Sequence, residues 1–520
     1  MDEYKVLITT SGLGSRLGNL TKFTNKSLVR IGRKPAISYI VERYPKDVTM
    51  VVTLGHFGDH VRQFLTLAYP DCKFEFATVD KYEGLGSSLG YSMLCAEHLL
   101  HCPFIFHACD TVVFEDPPKP LENWIAGYKS RNSNYRSFNV NGTTVTSMNE
   151  KGELAYDYDY MGLAGIFDYA LFFKILRALY EKNPNHSGLS DCHTIKEVLL
   201  HEPFHYKVFE KWLDIGNTTS LASARAEIDR TEKLDVLDKD DESIFIFGKD
   251  SVVKFFSDER ICASRVARAK VLGPLVPEIL GSDRNFYKYQ YVNGDLFSDC
   301  VNLENFSQFL VWAQKNLWYQ KGDSTPKFKE ICHDFYITKT EKRIERFLKE
   351  SGRKDTETVI NGIQVPSVKD LLGRLDTEWL CSSIPYNFHG DCILENILKT
   401  EDGFRLIDWR QDFGGEIEYG DMYYDLAKLN HNLIFAREAA NKGWFSVSDE
   451  NGLVKCDIMR SHLHLRCQED LFKFVRLNGF DEKKVRILSC IIWLNMCPLH
   501  HYPISEFLFH FGRFNLLLEI

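Results

Sequence analysis

Residues 388–410 read FHGDCILENILKTEDGFRLIDWR, which sets one acid, Asp391, in a polar turn, an amide, Asn396, five positions on, and a second acid, Asp408, inside an apolar run. Moving a γ-phosphoryl group to a hydroxyl needs a carboxylate beside the attacking oxygen, plus an amide and a further carboxylate to hold Mg²⁺ against the phosphates. Asp391 suits the first task, and Asn396 and Asp408 suit the second. A short loop followed by a hairpin would bring the three side chains to one place, with Ile393, Leu394, Ile397, Leu398, Leu406 and Ile407 anchoring the strands.

A second set of charged residues lies at the other end of the chain. The run KVLITT, residues 5–10, has the composition of a buried strand and passes directly into SGLGSRLGNLTKFTNKSL. A strand feeding a glycine-rich loop offers backbone N–H groups to phosphate oxygens. Gly12, Leu13, Gly14 and Ser15 are therefore candidate nucleotide contacts, and Arg16 and Lys26 are cations that can neutralise a triphosphate. FIFHACDTVV, residues 104–113, is expected as an apolar strand that places Asp110 at the carboxyl edge of a sheet, where open α/β folds bind ligands. KWLDIGN supplies Asp214 ahead of a helix expected over 219–227. Two carboxylates from distant strands can share one Mg²⁺. In KYEGLGSSLGYS, the residues Gly84, Gly86, Ser87 and Ser88 open a helix that either holds a base or phosphate or is simply capped there.

The C-terminal pattern, HGDxxxxN followed by IDW and then YGDMYYDLAKL, resembles the aminoglycoside phosphotransferase and choline kinase family, small-molecule relatives of protein kinases. The resemblance implies an α+β, protein-kinase-like two-lobed domain over 242–520, with an N-lobe over 242–295 and a C-lobe over 296–520. It implies that Asp391 accepts the proton of a substrate hydroxyl and that Asn396 and Asp408 hold Mg²⁺. Lys254, in the hairpin SIFIFGKDSVVKFF, would steady the ATP phosphates, and the backbone of Gln290 and Val292 would lie along adenine. The next helix, ERICASRVARAKVL, offers only Glu259, near its start, as a partner for that lysine.

The N-terminal loop is similar to the GxGxRxxPxTxxxPKxL signature of nucleotidyltransferases that make sugar nucleotides and related CDP-alcohols. It departs from that signature at Ser11, at Gly18 and at Asn25, where proline is usual, changes expected to relax the loop without removing a charge. This second resemblance implies an α/β domain over 1–230, Rossmann-like with a GT-A-like mixed sheet. It further implies Mg²⁺ on Asp110 and Asp214, an acceptor pocket along GLAGIFDYALF that includes Gly165, and an acceptor-phosphate contact from Lys151.

Succession of elements and composition agree with this division. Helix over 35–43, strand over 48–54, helix over 59–68 and strand over 73–79 form a βαβ series and so a parallel sheet. From residue 225 the chain turns charged and poor in large apolar residues, so an acidic linker is placed at 231–241. Helices are expected over 306–319, 338–350 and 368–379, and after 429 the chain reads as helical to its end. At 520 residues, 44% hydrophobic and 26% charged, this is the composition of a globular protein of two or three domains. A net charge of −9 gives no basic field for nucleic acid or an anionic membrane. No apolar run reaches the ~20 residues that span a bilayer, and MDEYKVLITT lacks the basic start of a signal peptide. A cytoplasmic protein without membrane insertion is expected, with self-association left open. The 14 cysteines form no CxxC pair, and the histidines of the C-terminal part read as core residues, so a metal cluster is not expected.

The two halves fit as a sequence of reactions. A kinase makes a phosphate monoester, and a nucleotidyltransferase joins such a monoester to a nucleotide with loss of pyrophosphate. The expectation is a bifunctional enzyme that uses ATP, CTP and Mg²⁺ to activate a hydroxylated small molecule, a sugar or polyol such as a ketohexose, for surface polysaccharide synthesis. CTP follows from the resemblance, and no residue separates it from UTP. Three alternatives stay open: a choline kinase joined to a phosphocholine cytidylyltransferase, an antibiotic-inactivating enzyme, and a regulatory or scaffolding protein made of two degenerate enzyme folds.

Overall fold

The computed structural model describes residues 4–130, 132–230, 239–450 and 452–520. Residues 231–238 of the expected linker lie outside the described residues. The chain forms two compact units, Met1–Cys262 with Leu280–Tyr291, and Ala263–Ile279 with Val292–Ile520.

In the first unit, nine strands among the described residues make one mixed sheet in the order Lys73–Thr78, Thr49–Leu54, Lys5–Thr9, Phe104–Ala108, Tyr158–Ile166, Trp124–Tyr128, His205–Val208, Thr144–Asn149 and Ser137–Asn141. The first four run parallel, and Tyr158–Ile166 then lies antiparallel to Phe104–Ala108. Alternation along the strands explains why both faces are covered. Val6, Ile8, Met50 and Val52 pack with Val61 and Phe64 of the helix Gly58–Ala68. Leu7 and Val51 point the other way, to Met93 of the helix Leu89–Ala96 and Phe172 of the helix Tyr169–Lys182.

The segment expected as a single strand over 104–113 is two strands with a turn between them. Phe104–Ala108 stays in the main sheet, whereas Thr111–Val113 leaves it and pairs antiparallel with Trp212–Asp214. His107 stabilises the turn through a 2.9 Å contact between Nε2 and the carbonyl of Thr111. Asp110 is thereby held in the turn just past the end of Phe104–Ala108.

The hairpin Glu242–Phe247 and Ser251–Phe256, with Phe286–Gln290 beside it, packs within the first unit. Phe245 and Phe286 close on Phe64 at ring distances of 5.5 and 6.0 Å, Ile246 N–H donates to Arg33 O at 2.8 Å, and Asn285 N–H donates to Gln63 Oε1 at 3.0 Å. The packing boundary thus differs from the composition break near residue 230. A hairpin with one aromatic face needs an apolar cover, and the helix Gly58–Ala68 supplies it.

The second unit is mostly helical. Met422–Ile434, Glu482–Met496 and Ile504–Glu519 pack together, and the hairpin Ile397–Thr400 with Gly403–Leu406 carries the loop of Asp391. The expectation of helix throughout the chain after 429 is corrected by Phe445–Glu450 and Leu453–Ile458, which join Thr358–Ile360 and Ile363–Val365 in a small sheet. The signal was period two: Val454 and Cys456 are buried while Lys455 and Asp457 are exposed. The helix expected over 368–379 is divided into Val368–Gly373 and Thr377–Cys381, because the Asp376 carboxylate accepts the Trp379 N–H and starts a new helix. Among the described residues no helix is long and apolar enough to cross a membrane.

Candidate active sites

In the first unit the loop after Lys5–Thr9 is shaped by Gly14 and Asn25. Gly14 has φ +69°, and a Cβ there would come within 2.7 Å of Lys26 Cβ, so only glycine lets the loop lie on the lysine stem. Asn25 is fully buried and does the opposite of relaxing the loop. Its amide donates to the carbonyls of Thr10 at 2.8 Å and His56 at 2.6 Å, while its oxygen accepts from Ser27 N–H at 2.9 Å and caps the turn Lys26–Leu28. Proline could make none of these bonds.

Lys26 Nζ then stands 3.3 Å from Asp110 Oδ2. The nearby Lys26 charge holds the Asp110 carboxyl below its usual range against the effect of burial, with Arg16 adding to it. Burial opposes the charge on Lys26, but Asp110 and Cys109 together more than offset it and the ammonium is held above its usual value. Pairing of Thr111 with Asp214, and an Ile215 N–H bond of 3.0 Å to Asp110 O, bring the second acid alongside. The place where a Gly216 Cβ would stand is 3.1 Å from Asp214 Oδ1, 3.5 Å from Asp110 Oδ2 and 3.6 Å from an Arg16 guanidinium nitrogen. The two carboxylates and the Arg16 guanidinium thus meet beside Gly216, and Lys26 joins them through its contact with Asp110. Sequence reasoning missed Tyr135, whose hydroxyl donates to Asp214 Oδ2 at 3.1 Å; a lone tyrosine in a polar stretch gave no signal for it.

Other expected contacts are placed differently. Ser88 caps the helix Leu89–Ala96 by accepting from Tyr91 N–H at 3.0 Å, Ser87 Oγ donates to Gly84 O at 2.8 Å, and Gly86 adopts φ +83° against Pro184 O. Ser88 thus caps the helix, while Ser87 closes the turn at Gly84. Lys151 is exposed on the turn after Thr144–Asn149. Gly165 is buried in the sheet, and a Cβ there would collide with the Trp124 indole, so it is a packing glycine rather than a pocket wall. Gly162, at φ +74°, is the glycine of that strand near the Asp110 turn, with Thr111 Oγ1 3.5 Å from where its Cβ would be. Lys254 is buried at the centre of its hairpin strand, opposite Ile244 and Tyr287, and Gln290 ends the neighbouring strand opposite Ser251. Val292 is half-buried.

In the second unit the turn His389–Asp391 hangs on Asp425. One carboxylate oxygen of Asp425 accepts from Gly390 N–H at 2.7 Å, and the other accepts from His389 N–H at 2.7 Å and Trp318 Nε1–H at 3.0 Å. Burial raises the Asp425 carboxyl to about 6 against these bonds. His389 Nδ1 accepts from Asp391 N–H at 3.3 Å, so its proton sits on Nε2, which donates to Ile407 O at 3.0 Å; burial keeps the ring neutral, with its pKa lowered to about 4.

Asp391 is held on both oxygens. Asn396 Nδ2 donates to Oδ2 at 3.0 Å and to the Asp391 carbonyl at 2.9 Å, and Lys428 Nζ lies 2.7 Å from Oδ1. Burial works against the charge of Asp391, yet Lys428 outweighs it and the carboxyl sits below its usual range. Asp408 has the left-handed φ of +55° and pairs with Arg265 at 2.6 Å, from the helix Glu259–Leu272. Asp425 and Lys428 were present in the quoted run YGDMYYDLAKL but received no role; their three-residue spacing puts both on one side of the helix Met422–Ile434.

No protein-family model matches the chain, and no curated protein matches it. Solved structures with some likeness include a protein from Bacillus anthracis assigned as a glucose-1-phosphate thymidylyltransferase, with 20% identity, a TM-score of 0.37, and coverage of 46% of this chain and 98% of that one. A CTP:phosphocholine cytidylyltransferase from Streptococcus pneumoniae gives 17% identity and a TM-score of 0.36 over 44% of this chain and 99% of its own. A UDP-glucose pyrophosphorylase from Acinetobacter baumannii gives 16% and 0.37 over 45% and 96%. The side-chain geometry above, and not these likenesses, carries the functional reading.

Proposed function

We propose that the chain is a bifunctional enzyme: the first unit transfers a nucleotidyl group from an NTP, CTP by preference, to a phosphate monoester, and the second makes that monoester from an alcohol and ATP. The observation that carries the reading is the convergence of Arg16, Asp110 and Asp214 beside Gly216 with Lys26 on Asp110, since two acids and two cations so gathered suit a divalent ion and a triphosphate together. The double clasp on Asp391 supports the kinase half.

Magnesium, when bound, would offset charge on the phosphates. Asp110 and Asp214 fit it in the first unit. In the second, Asn396 spends its amide hydrogens on Asp391, which leaves its oxygen to act with Asp408. In the kinase half Asp391 orients the substrate hydroxyl and takes its proton; the hydroxyl oxygen bonds to the γ-phosphorus, the β–γ bridge breaks, and ADP leaves. In the transferase half a monoester oxygen attacks the α-phosphorus and pyrophosphate leaves, its charge met by Arg16 and Lys26. The backbone from Gly12 to Ser15 would lie against the triphosphate, and Lys151 would meet the acceptor phosphate.

The test is to incubate the full chain with ATP, CTP, Mg²⁺ and a panel of sugars, polyols and amino alcohols, measuring ADP, pyrophosphate and a CDP-linked product. Asp391→Asn should remove ADP formation yet leave pyrophosphate release from added monoester, and Asp110→Asn should do the reverse. Loss of both activities in either variant would count against two separate sites. The ion pair of Asp408 with Arg265 favours one other reading, a second unit that binds nucleotide without turning it over. Asp391-dependent ADP release decides between them.

A further inference from the structure

We propose that the alcohol phosphorylated by the second unit is itself an anion, carrying a carboxylate or phosphate that Lys339 and Arg410 receive beside Asp391. This rests on the kinase reading of that unit.

Arg410 lies across the turn of Asp391. Gly390 has φ +85°, and a Cβ there would meet Arg410 Cβ at 2.6 Å and Cδ at 3.1 Å; Arg410 N–H also donates to His389 O at 3.0 Å. The same arginine reaches the Phe335 ring, with its guanidinium carbon 4.9 Å from the centroid, and Lys339 Nζ lies 3.9 Å from that ring. Lys428 completes the group at Asp391. Lys428 holds the carboxylate, and Arg410 and Lys428 both act on Lys339, so three cations from three elements lie near one another beside the turn of Asp391.

Such a group repels itself. Lys339 is held well below its usual pKa, first by burial and then by the charges of Arg410, Arg343 and Lys428, with Asp412 a weaker counterweight. Arg410 Nε is buried without a hydrogen-bond partner. His431, three residues beyond Lys428 on the same helix, is 4% exposed and its Nδ1 is likewise buried without a partner. Unmatched positive charge and unmet polar atoms near Asp391 favour an oxyanion and disfavour a cation. On this proposal, choline and aminoglycosides are poor acceptors. Two aromatic residues of this part of the chain are engaged elsewhere: Trp409 is fully buried and its Nε1 donates to Arg265 O at 2.8 Å, and Tyr423 packs under Lys484.

The experiment compares glycerate, glycerol 3-phosphate, glycerol and choline as acceptors for the full chain with Mg-ATP, by ADP release. At least one anionic probe should be used with a KM about tenfold or more below that of glycerol, the effect of one charged contact. Whether glycerate or glycerol 3-phosphate is preferred tells carboxylate from phosphate. Lys339→Gln and Arg410→Gln should raise the KM of that anion while leaving the KM of ATP unchanged, and Lys339→Arg should restore it. Lys339→Met keeps the stem on Phe335 and serves as the folding control. Equal use of glycerol or choline would overturn the proposal, as would variants that raise only the KM of ATP, which would assign the cations to the γ-phosphate.

If none of the four is phosphorylated, calorimetric titration of inorganic phosphate into the chain saturated with a non-hydrolysable ATP analogue decides. A binding heat lost in Arg410→Gln and kept in Lys26→Gln supports the site, and its absence sinks it. Slow Asp391-dependent ATP hydrolysis checks the kinase reading separately, so failure of that reading and failure of the anionic acceptor can be told apart.

Discussion

Lys428 Nζ stands 2.7 Å from Asp391 Oδ1, and that contact outweighs burial to keep the carboxylate charged. A general base must be ionised to accept a proton, so the lysine sets the pH range over which Asp391 can work.

Lys428→Met should therefore raise the Asp391 pKa, because burial then acts unopposed. A base with a raised pKa is protonated over more of the acid range, so the acid limb of the ADP-forming rate should move to higher pH. At neutral pH kcat should fall about 10- to 100-fold. A pH–rate profile checks this, and an acid limb that stays in place would count against the pairing.

Asp425→Asn should destabilise the second unit by about 2–4 kcal/mol, because an amide NH₂ would then face one or more of three N–H donors. The pH dependence adds a second reading. The folded Asp425 pKa of about 6 lies above the unfolded value, so wild type loses stability from this group as pH rises from about 4 to about 6. The variant lacks that loss, and its deficit in Tm should narrow over the same interval. Thermal melts at several pH values measure both effects.

Asn25→Pro would restore the usual residue of the loop signature and should nevertheless harm the protein. Two buried carbonyls, Thr10 O and His56 O, would lose their donor, at about 1–3 kcal/mol each. The Tm of the first unit should drop and pyrophosphate release should fall rather than rise. An unchanged Tm would show that the clasp contributes nothing.

Gly165→Ala and Gly162→Ala should separate packing from function. The first pushes a methyl into the Trp124 indole and should cost about 1–3 kcal/mol of stability while leaving the acceptor KM of the folded fraction unchanged. The second strains a positive φ by about 1–2 kcal/mol beside Thr111 and should lower the transferase rate as well. Denaturant titration and steady-state kinetics on both variants check the contrast.

Much of the architecture was legible along the chain. KVLITT, the 48–54 run and their alternating helices gave parallel strands because apolar residues on both faces leave few other arrangements. The meeting of Asp391 with Asn396 was legible because it depends on a short, local spacing. The composition break near residue 230 misled on packing, since the Glu242–Phe247 hairpin finds its apolar cover on a helix far back in the chain.

The sequence alone determined which residue types were available to handle phosphate and the local turns that present them, because loop shape and hydrophobic period are properties of neighbours along the chain. Only the tertiary structure decided which charges meet. That Lys428 holds Asp391, that Asp214 reaches Asp110 through Thr111–Val113, that Arg410 crosses Gly390 and that Gly165 belongs to Trp124 all follow from contacts between distant segments. Electrostatics and close packing act through space, and spacing along the chain does not encode those distances.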